Sequence, residues 1–194
     1  MRVRPAEHAD IASLVELTRS IDLTSGTFSG RAVLDDGVEH LRERYVEVID
    51  DRIRVLLVAV DEPTAELVGL LVARADEIGA IDLTPVLHVS HLIVSPQHRR
   101  RGVGRALLTA AVQLADERGV DRVLATAGSG SREANRYLAR LGFAPLVVHR
   151  MAPTSVLRRS LGMSEAPERM AVLRRARLVR AQRAGLSGRA ARRA

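Results

Sequence analysis

The sequence predicts an α/β (α+β) fold: a mixed, mostly antiparallel central sheet flanked by helices, followed by an arginine-rich, helical C-terminal extension. Three observations carry it. Two aliphatic, β-branched runs, "RIRVLLVAVDE" and "ELVGLLVARADEIG", are separated only by the turn signal Glu62-Pro63-Thr64, which suggests an antiparallel pair. From "PVLHVSHLIVSP" onward, strand, helix, strand, helix and strand alternate, the pattern of a sheet layered by helices. The helical segments carry apolar residues at three-and-four spacing. The chain has 194 residues, 46% of them hydrophobic and 2% aromatic, so it can bury a core and that core must be aliphatic.

The elements follow in order. "MRVRPAEHADIASLVELTRSI" reads as a short strand, Arg2 to Arg4, a turn at Pro5, and a helix with Ile11, Leu14, Val15 and Thr18 on one face. "TSGTFSG" is a loop by its Gly and Ser content, and the next segment places Val38, Leu41, Tyr45 and Val48/Ile49 on a second helical face. The paired runs and a third, ended by Pro96, come next. A helix then starts near Val103 with Val103, Leu107, Ala110/Ala111 and Leu114 as its apolar stripe, and Gly119 closes it. "RVLATAG" is a short strand, "SREANRYLARLG" a helix ending at Gly142, and "FAPLVVHRMA" a final strand. Beyond Pro153, "SEAPERMAVLRRARLVRAQRA" has helix-start features at Ser164 and Pro167 and a narrow stripe at Val172, Ala176 and Val179. The expected organisation is one domain over residues 1–152 and a basic extension over 153–194.

Absences narrow the chemistry. There is no cysteine, hence no disulfide, thiolate nucleophile or cysteine metal site. All 30 basic residues are arginine, which excludes a Schiff-base lysine and a lysine-bearing phosphate loop. Residues 153–194 hold 11 arginines and two acids, whereas residues 1–152 hold 19 arginines and 21 acids, so the basicity belongs to the extension. No run has the length of a membrane span and "MRVRPAEHAD" has no apolar segment of signal-peptide type, so the expectation is a soluble cytoplasmic protein with no metal.

In "SPQHRRRGVGRALL" three arginines run into Gly102-Val103-Gly104 at a helix start. Such a start presents unpaired N–H groups and the positive end of the helix dipole. Glycines let an anion reach the main chain, and Arg99, Arg100, Arg101 and Arg105 surround the same point, so a pyrophosphate is the natural occupant. A dinucleotide fingerprint would need a small residue at position 107, where Leu107 stands, so a nicotinamide or flavin reading is weak.

"LIVSPQHRRRGVGRALL" resembles the acetyl-CoA-binding motif of the GNAT superfamily of N-acetyltransferases, [QR]-x-x-G-x-[GA], met by Arg99, Gly102 and Gly104. "ANRYLARLGFAPL" is similar to that family's second motif. The resemblance implies acetyl-CoA as co-substrate, with Leu92, Ile93 and Val94 offering backbone groups to the pantetheine arm. Arg99, Arg100, Arg101, Gly102, Val103, Gly104 and Arg105 would wrap the pyrophosphate. Asn135 matches a position close to the pantetheine and thioester, and equally suits a structural surface asparagine.

Direct attack by an amine needs a base, an oxyanion donor and an acid for the thiolate. Where many relatives carry a glutamate on the strand before the motif, this chain reads His88-Val89-Ser90-His91, making His91 and His88 the base candidates against a structural role for either. The family's tyrosine acid falls on Leu138, and Tyr137 sits one residue earlier, a rotation of about 100°. Tyr137 is therefore either a displaced acid or a packing residue. The resemblance puts the acceptor region at Thr24 to Asp36 and His149, where Asp35, Asp36 and Glu39 either attract a cationic amine or form a solvated helix start. The implied function is N-acetyltransfer to a primary amine of a small molecule or peptide, by a homodimer. The competing readings are a CoA-binding regulatory module without turnover, and nucleic-acid binding through residues 153–194.

Overall fold

A computed structural model describes residues 1–20, 37–79, 81–128 and 130–163. The chain divides into two units, Met1–Ala144 and Pro145–Ala194. In the first, β1 (Arg2–Pro5) leads through a 3₁₀ turn (His8–Asp10) into α1 (Ile11–Ser20), and α2 spans Gly37–Ile49. Then come β2 (Arg54–Asp61), β3 (Glu66–Glu77), β4 (Pro85–Val94), a 3₁₀ turn (Pro96–His98), α3 (Val103–Glu117), β5 (Val123–Ala125) and α4 (Arg132–Arg140). The sheet runs in chain order, β1-β2-β3-β4-β5, antiparallel throughout except for the parallel β4/β5 pair. That is the mixed, mostly antiparallel sheet the sequence predicts.

The core is two aliphatic layers, one on each face of the sheet. On one face, Val103, Leu107, Leu108, Ala111 and Ala115 of α3 pack on Leu57, Ala59, Leu71, Ala73, Leu87 and Val89. Opposite, Leu14, Val15 and Leu17 of α1 and Leu41 and Tyr45 of α2 pack on Leu56, Val58, Leu67 and Leu70. Tyr45, one of the few aromatics, is buried and its hydroxyl shares a 2.5 Å hydrogen bond with Thr18 Oγ1, which also donates to Leu14 O. Burial pushes the Tyr45 phenol above its usual range, opposed by that hydrogen bond.

Helix ends follow their glycines. At Gly119 (φ +67°) the Val120 N–H reaches Ala115 O and the Gly119 N–H reaches Asp116 O, a Schellman closure of α3. Gly142 (φ +92°) closes α4 in the same way, with Phe143 N–H on Leu138 O.

One expected element does not form. Residues 143–152, "FAPLVVHRMA", have no strand pairing among the described residues, and Leu146, Val147 and Val148 are 58%, 59% and 78% exposed. A β-branched run becomes a strand only when a neighbouring ladder accepts it, and Phe143 N–H is already committed to the end of α4. In the second unit a short helix, α5 (Thr154–Ser160), stands at the start of the extension expected to be helical and closes at Gly162 (φ +65°). The helix expected from Ser164 onward and the loop "TSGTFSG" lie outside the described residues.

Candidate functional site

Two features of the sheet build a notch. β5 pairs with β4 only at Leu87, His88 and Val89, and Thr126 N–H then donates to Val89 O at 3.0 Å. Past that bond, among the described residues, β4 continues alone on this edge through Ser90–Val94. Leu92, Ile93 and Val94, half-buried, therefore line the open edge that leads from the β4/β5 junction to the arginine loop.

The loop has the geometry of an anion cradle. Arg100 is left-handed (φ +62°), a conformation that costs a bulky residue energy and is retained where surroundings enforce it. Gly102 follows at φ +84° as the residue before α3, with no side-chain cap on the helix. The first main-chain bond into α3 is Ala106 N–H to Gly102 O, so helical geometry leaves the N–H groups of Val103, Gly104 and Arg105 without partners inside the helix. Val103 is buried in the core and pins this helix start to the sheet, while Arg99, Arg100, Arg101 and Arg105 are exposed around it. Arg99 reaches Glu133 of α4 at 3.5 Å. The close approach of α3 is permitted by Gly69 on β3, where a Cβ would stand 2.8 Å from Val103 Cγ1 and 3.0 Å from Ile93 O.

Both histidines lie beside the other end of the notch, and a bulge decides their direction. In a regular strand residues 88 and 91 face opposite sides. Here Val72 pairs with His91 and Ala73 with Val89, leaving Ser90 as an extra residue on β4. The bulge flips the alternation. His91 consequently shares a face with Val72, and His88 with Arg74, the face that carries α1 and α2. Ser90 Oγ lies 3.0 Å from His91 Nδ1 and 3.3 Å from Val72 O. Burial, then the neighbouring His88, holds the His91 imidazole below its usual pKa, so it is neutral at neutral pH.

His88 sits among polar groups that the sequence did not single out. Its Nε2 is 2.8 Å from Thr126 Oγ1, and its Nδ1 is 3.7 Å from Asp76 Oδ2. Asp76 in turn accepts from Arg74 Nε at 2.9 Å. Burial opposes ionisation of Asp76, but the Glu77 N–H and the Arg74 guanidinium outweigh it and hold the carboxyl below its ordinary range. Asp76 and Arg74 share the His88 face by period-two alternation, a signal available only once the register is known.

The remaining candidates divide. Leu138, at the family's tyrosine position, packs into the core beside α3. Tyr137 also packs there, and its hydroxyl faces Gly104, where a Cβ would lie 3.5 Å from it. That buried hydroxyl has no hydrogen-bond partner among the described residues. Burial raises its pKa, with nearby Arg105 acting the other way. Tyr137 is thus placed at the start of α3. Asn135 Nδ2 donates to Gly128 O at 2.9 Å and to Ser131 O at 2.8 Å, tying α4 to the loop before it. What Asn135 can offer a ligand is its Oδ1. Glu39 is exposed at the start of α2 and His149 is exposed in the second unit; Thr24 to Asp36 lie outside the described residues.

Comparison with known proteins agrees with this architecture. A family model described as acetyltransferase (GNAT) family matches residues 23–143. A transcriptional regulator from Bacillus halodurans C-125 superposes with a TM-score of 0.65 at 20% identity, covering 78% of this chain and 98% of that one. An aminoglycoside antibiotic 6'-N-acetyltransferase from Acinetobacter haemolyticus gives 0.62 at 19%, covering 79% and 99%. Glucosamine-6-phosphate N-acetyltransferase from Arabidopsis thaliana gives 0.58 at 13%, covering 78% and 97%. At these identities the likeness is one of fold. No curated protein matches the sequence.

Proposed function

Because the chain belongs to the GNAT acetyltransferase family, we propose that it transfers the acetyl group of acetyl-CoA to a primary amine by direct attack. The observation that carries the reading is the cradle. Left-handed Arg100 and Gly102, the unpaired N–H groups at the start of α3 and the arginines around them make a site for a pyrophosphate. The residues present fit the co-substrate. The main chain of Leu92, Ile93 and Val94 would hold the pantetheine arm along the open edge of β4, with Asn135 Oδ1 as an acceptor across the notch. Tyr137, whose hydroxyl faces Gly104, suits a contact at the phosphate end.

The thioester end of such an arm falls toward the junction of β4 and β5, where His91 and His88 share a face. His91, neutral at neutral pH, is in the right state to accept a proton from the amine, directly or through water. His88 is the second base. The acceptor amine approaches on the α1/α2 face, which both histidines share.

One observation favours a second reading. Leu138 fills the position of the family's tyrosine with an apolar side chain packed into the core, which suits a CoA-binding module without turnover. Thiol release from acetyl-CoA, followed over a panel of polyamines, aminoglycosides, amino-sugar phosphates and peptides, separates the two. Amine-dependent release with an acetylated product supports the enzyme. Saturable binding of acetyl-CoA without release by any amine, at several pH values, supports the module.

A further inference from the structure

The notch ends in a group that the histidine assignments alone do not use. Thr126 is exposed, follows β5 directly, and donates its N–H to Val89 O at the point where β4 and β5 part. Its hydroxyl is 2.8 Å from His88 Nε2, while the other ring nitrogen of His88 faces the carboxylate of Asp76 at 3.7 Å. Against burial, the Glu77 N–H and the Arg74 guanidinium hold that carboxylate below its ordinary range.

The electrostatics choose the direction of the hydrogen bond. A carboxylate beside Nδ1 favours the proton on Nδ1, and Nε2 is then an acceptor toward Thr126. Thr126 therefore donates, and a proton entering at its oxygen can pass its own proton on to His88. The imidazolium so formed is stabilised by Asp76. Among the described residues, the charged and titratable groups on this face of the sheet are Arg74, Asp76 and His91 around His88, with Arg54 directly across from Arg74 on β2 and Arg2 and Arg4 farther off on β1.

We propose that Thr126 and His88 form a proton shuttle for acetyl transfer, with Asp76 as the positioning residue that fixes the tautomer. This rests on the functional reading above. The acceptor ammonium gives one proton to Thr126 Oγ1 as the Thr126 proton moves to His88 Nε2. The amine nitrogen bonds the acetyl carbon, the carbon–sulfur bond breaks, and a second nitrogen-bound proton leaves to solvent. The stored proton returns from His88 through Thr126 to the CoA sulfur. One exposed hydroxyl, backed by one imidazole, thus supplies the thiolate's proton where Leu138 cannot and where Tyr137 faces the other end of the cofactor site.

The test reads the tautomer as well as the rate. In the full-length chain with 15N-labelled histidine, long-range proton–nitrogen correlation at pH 7.5, roughly one unit above the ordinary histidine pKa, should show His88 protonated on Nδ1, its signal assigned by its loss in His88→Gln. Thr126→Val keeps the branched shape and removes the hydroxyl. It should shift the His88 Nε2 resonance, leave acetyl-CoA binding intact by calorimetry, and slow thiol release from acetyl-CoA about a hundredfold. Thr126→Ser should restore both signals. Asp76→Asn should move His88 toward the Nε2-protonated form. Nε2-protonated His88 in the unaltered chain, or thiol release unchanged in Thr126→Val, overturns the shuttle while acetyl-CoA binding stands. An unaltered chain that gives no binding heat with acetyl-CoA overturns the functional reading itself, and the shuttle falls with it.

Discussion

Replacing Gly69 by alanine tests how the sheet presents the start of α3. The added Cβ meets Val103 Cγ1 at 2.8 Å, Ile93 O at 3.0 Å and Leu107 Cδ1 at 3.1 Å. The first and third are side-chain ends of one helix, but Val103 and Leu107 are fully buried, and the second is main chain of β4. Relief therefore requires α3 to lift. Overpacking of this kind costs about 1–3 kcal/mol, and the alanine recovers about 0.4–1 kcal/mol by restricting the unfolded chain. Because the main-chain contact with Ile93 O cannot yield, the cost falls in the upper part of that range, and the net expectation is a loss of about 1–2 kcal/mol. With an m-value near 2 kcal/mol per molar for urea, the unfolding midpoint should fall by about 0.5–1 M at constant m. Val103→Ala removes the nearest atom, so Gly69→Ala should cost about 1 kcal/mol less in that background than in the native one. The assay is urea unfolding of the four proteins followed by far-ultraviolet circular dichroism. A Gly69→Ala protein within about 0.3 kcal/mol of the native one, or strictly additive effects, would refute the claim that this glycine sets the distance between α3 and the sheet.

Other outcomes follow from single sites. Gly102→Ala places a side chain at φ +84° with open space around it, so the strain alone should cost about 1–2 kcal/mol, read as a lower urea midpoint, and weaken acetyl-CoA. Asp10 accepts from Arg4 at 2.6 and 2.8 Å and from Glu7 N–H at 2.8 Å, and hydrogen bonding to Arg4 depresses its pKa. Its contribution is present above the ordinary carboxylate pKa and is lost as pH falls through the depressed value, so Asp10→Asn should flatten acid unfolding there. His91 titrates below its ordinary value because burial disfavours the cation. The unfolded chain binds that proton first, so stability should fall as pH drops below about 6.5, and His91→Asn should remove the slope; guanidinium unfolding at several pH values measures it.

Much of the fold was legible because local chemistry and burial agree. The aliphatic runs of β2, β3 and β4, the stripe of α3 and the closing glycines at 119 and 142 each satisfy their own periodicity and their tertiary neighbours. "FAPLVVHRMA" met the strand pattern, yet a pattern carries no partner. The loop proposed to hold the pyrophosphate is consecutive in sequence, so its glycines and arginines stand out together, although the left-handed turn at Arg100 is a property of the loop and not of an arginine. The histidine end of the proposed site was only half-legible. His88 and His91 stand out by type, but their three-residue spacing assigns them to opposite faces, and the bulge at Ser90 that reunites them depends on pairing with β3. Thr126, Asp76 and Arg74 come from three different segments and meet only through register.

The central claim is that the loop from Arg99 to Arg105 holds the pyrophosphate of acetyl-CoA. The direct measurement is calorimetric titration of acetyl-CoA into the full-length chain, beside Gly104→Glu, which puts a carboxylate at the start of α3, and Arg99→Ala with Arg101→Ala. Saturable binding of one equivalent, abolished by the first variant and weakened at least tenfold by the second, is the predicted result. Binding that is absent from the folded native chain, or that both folded variants retain undiminished, would contradict it.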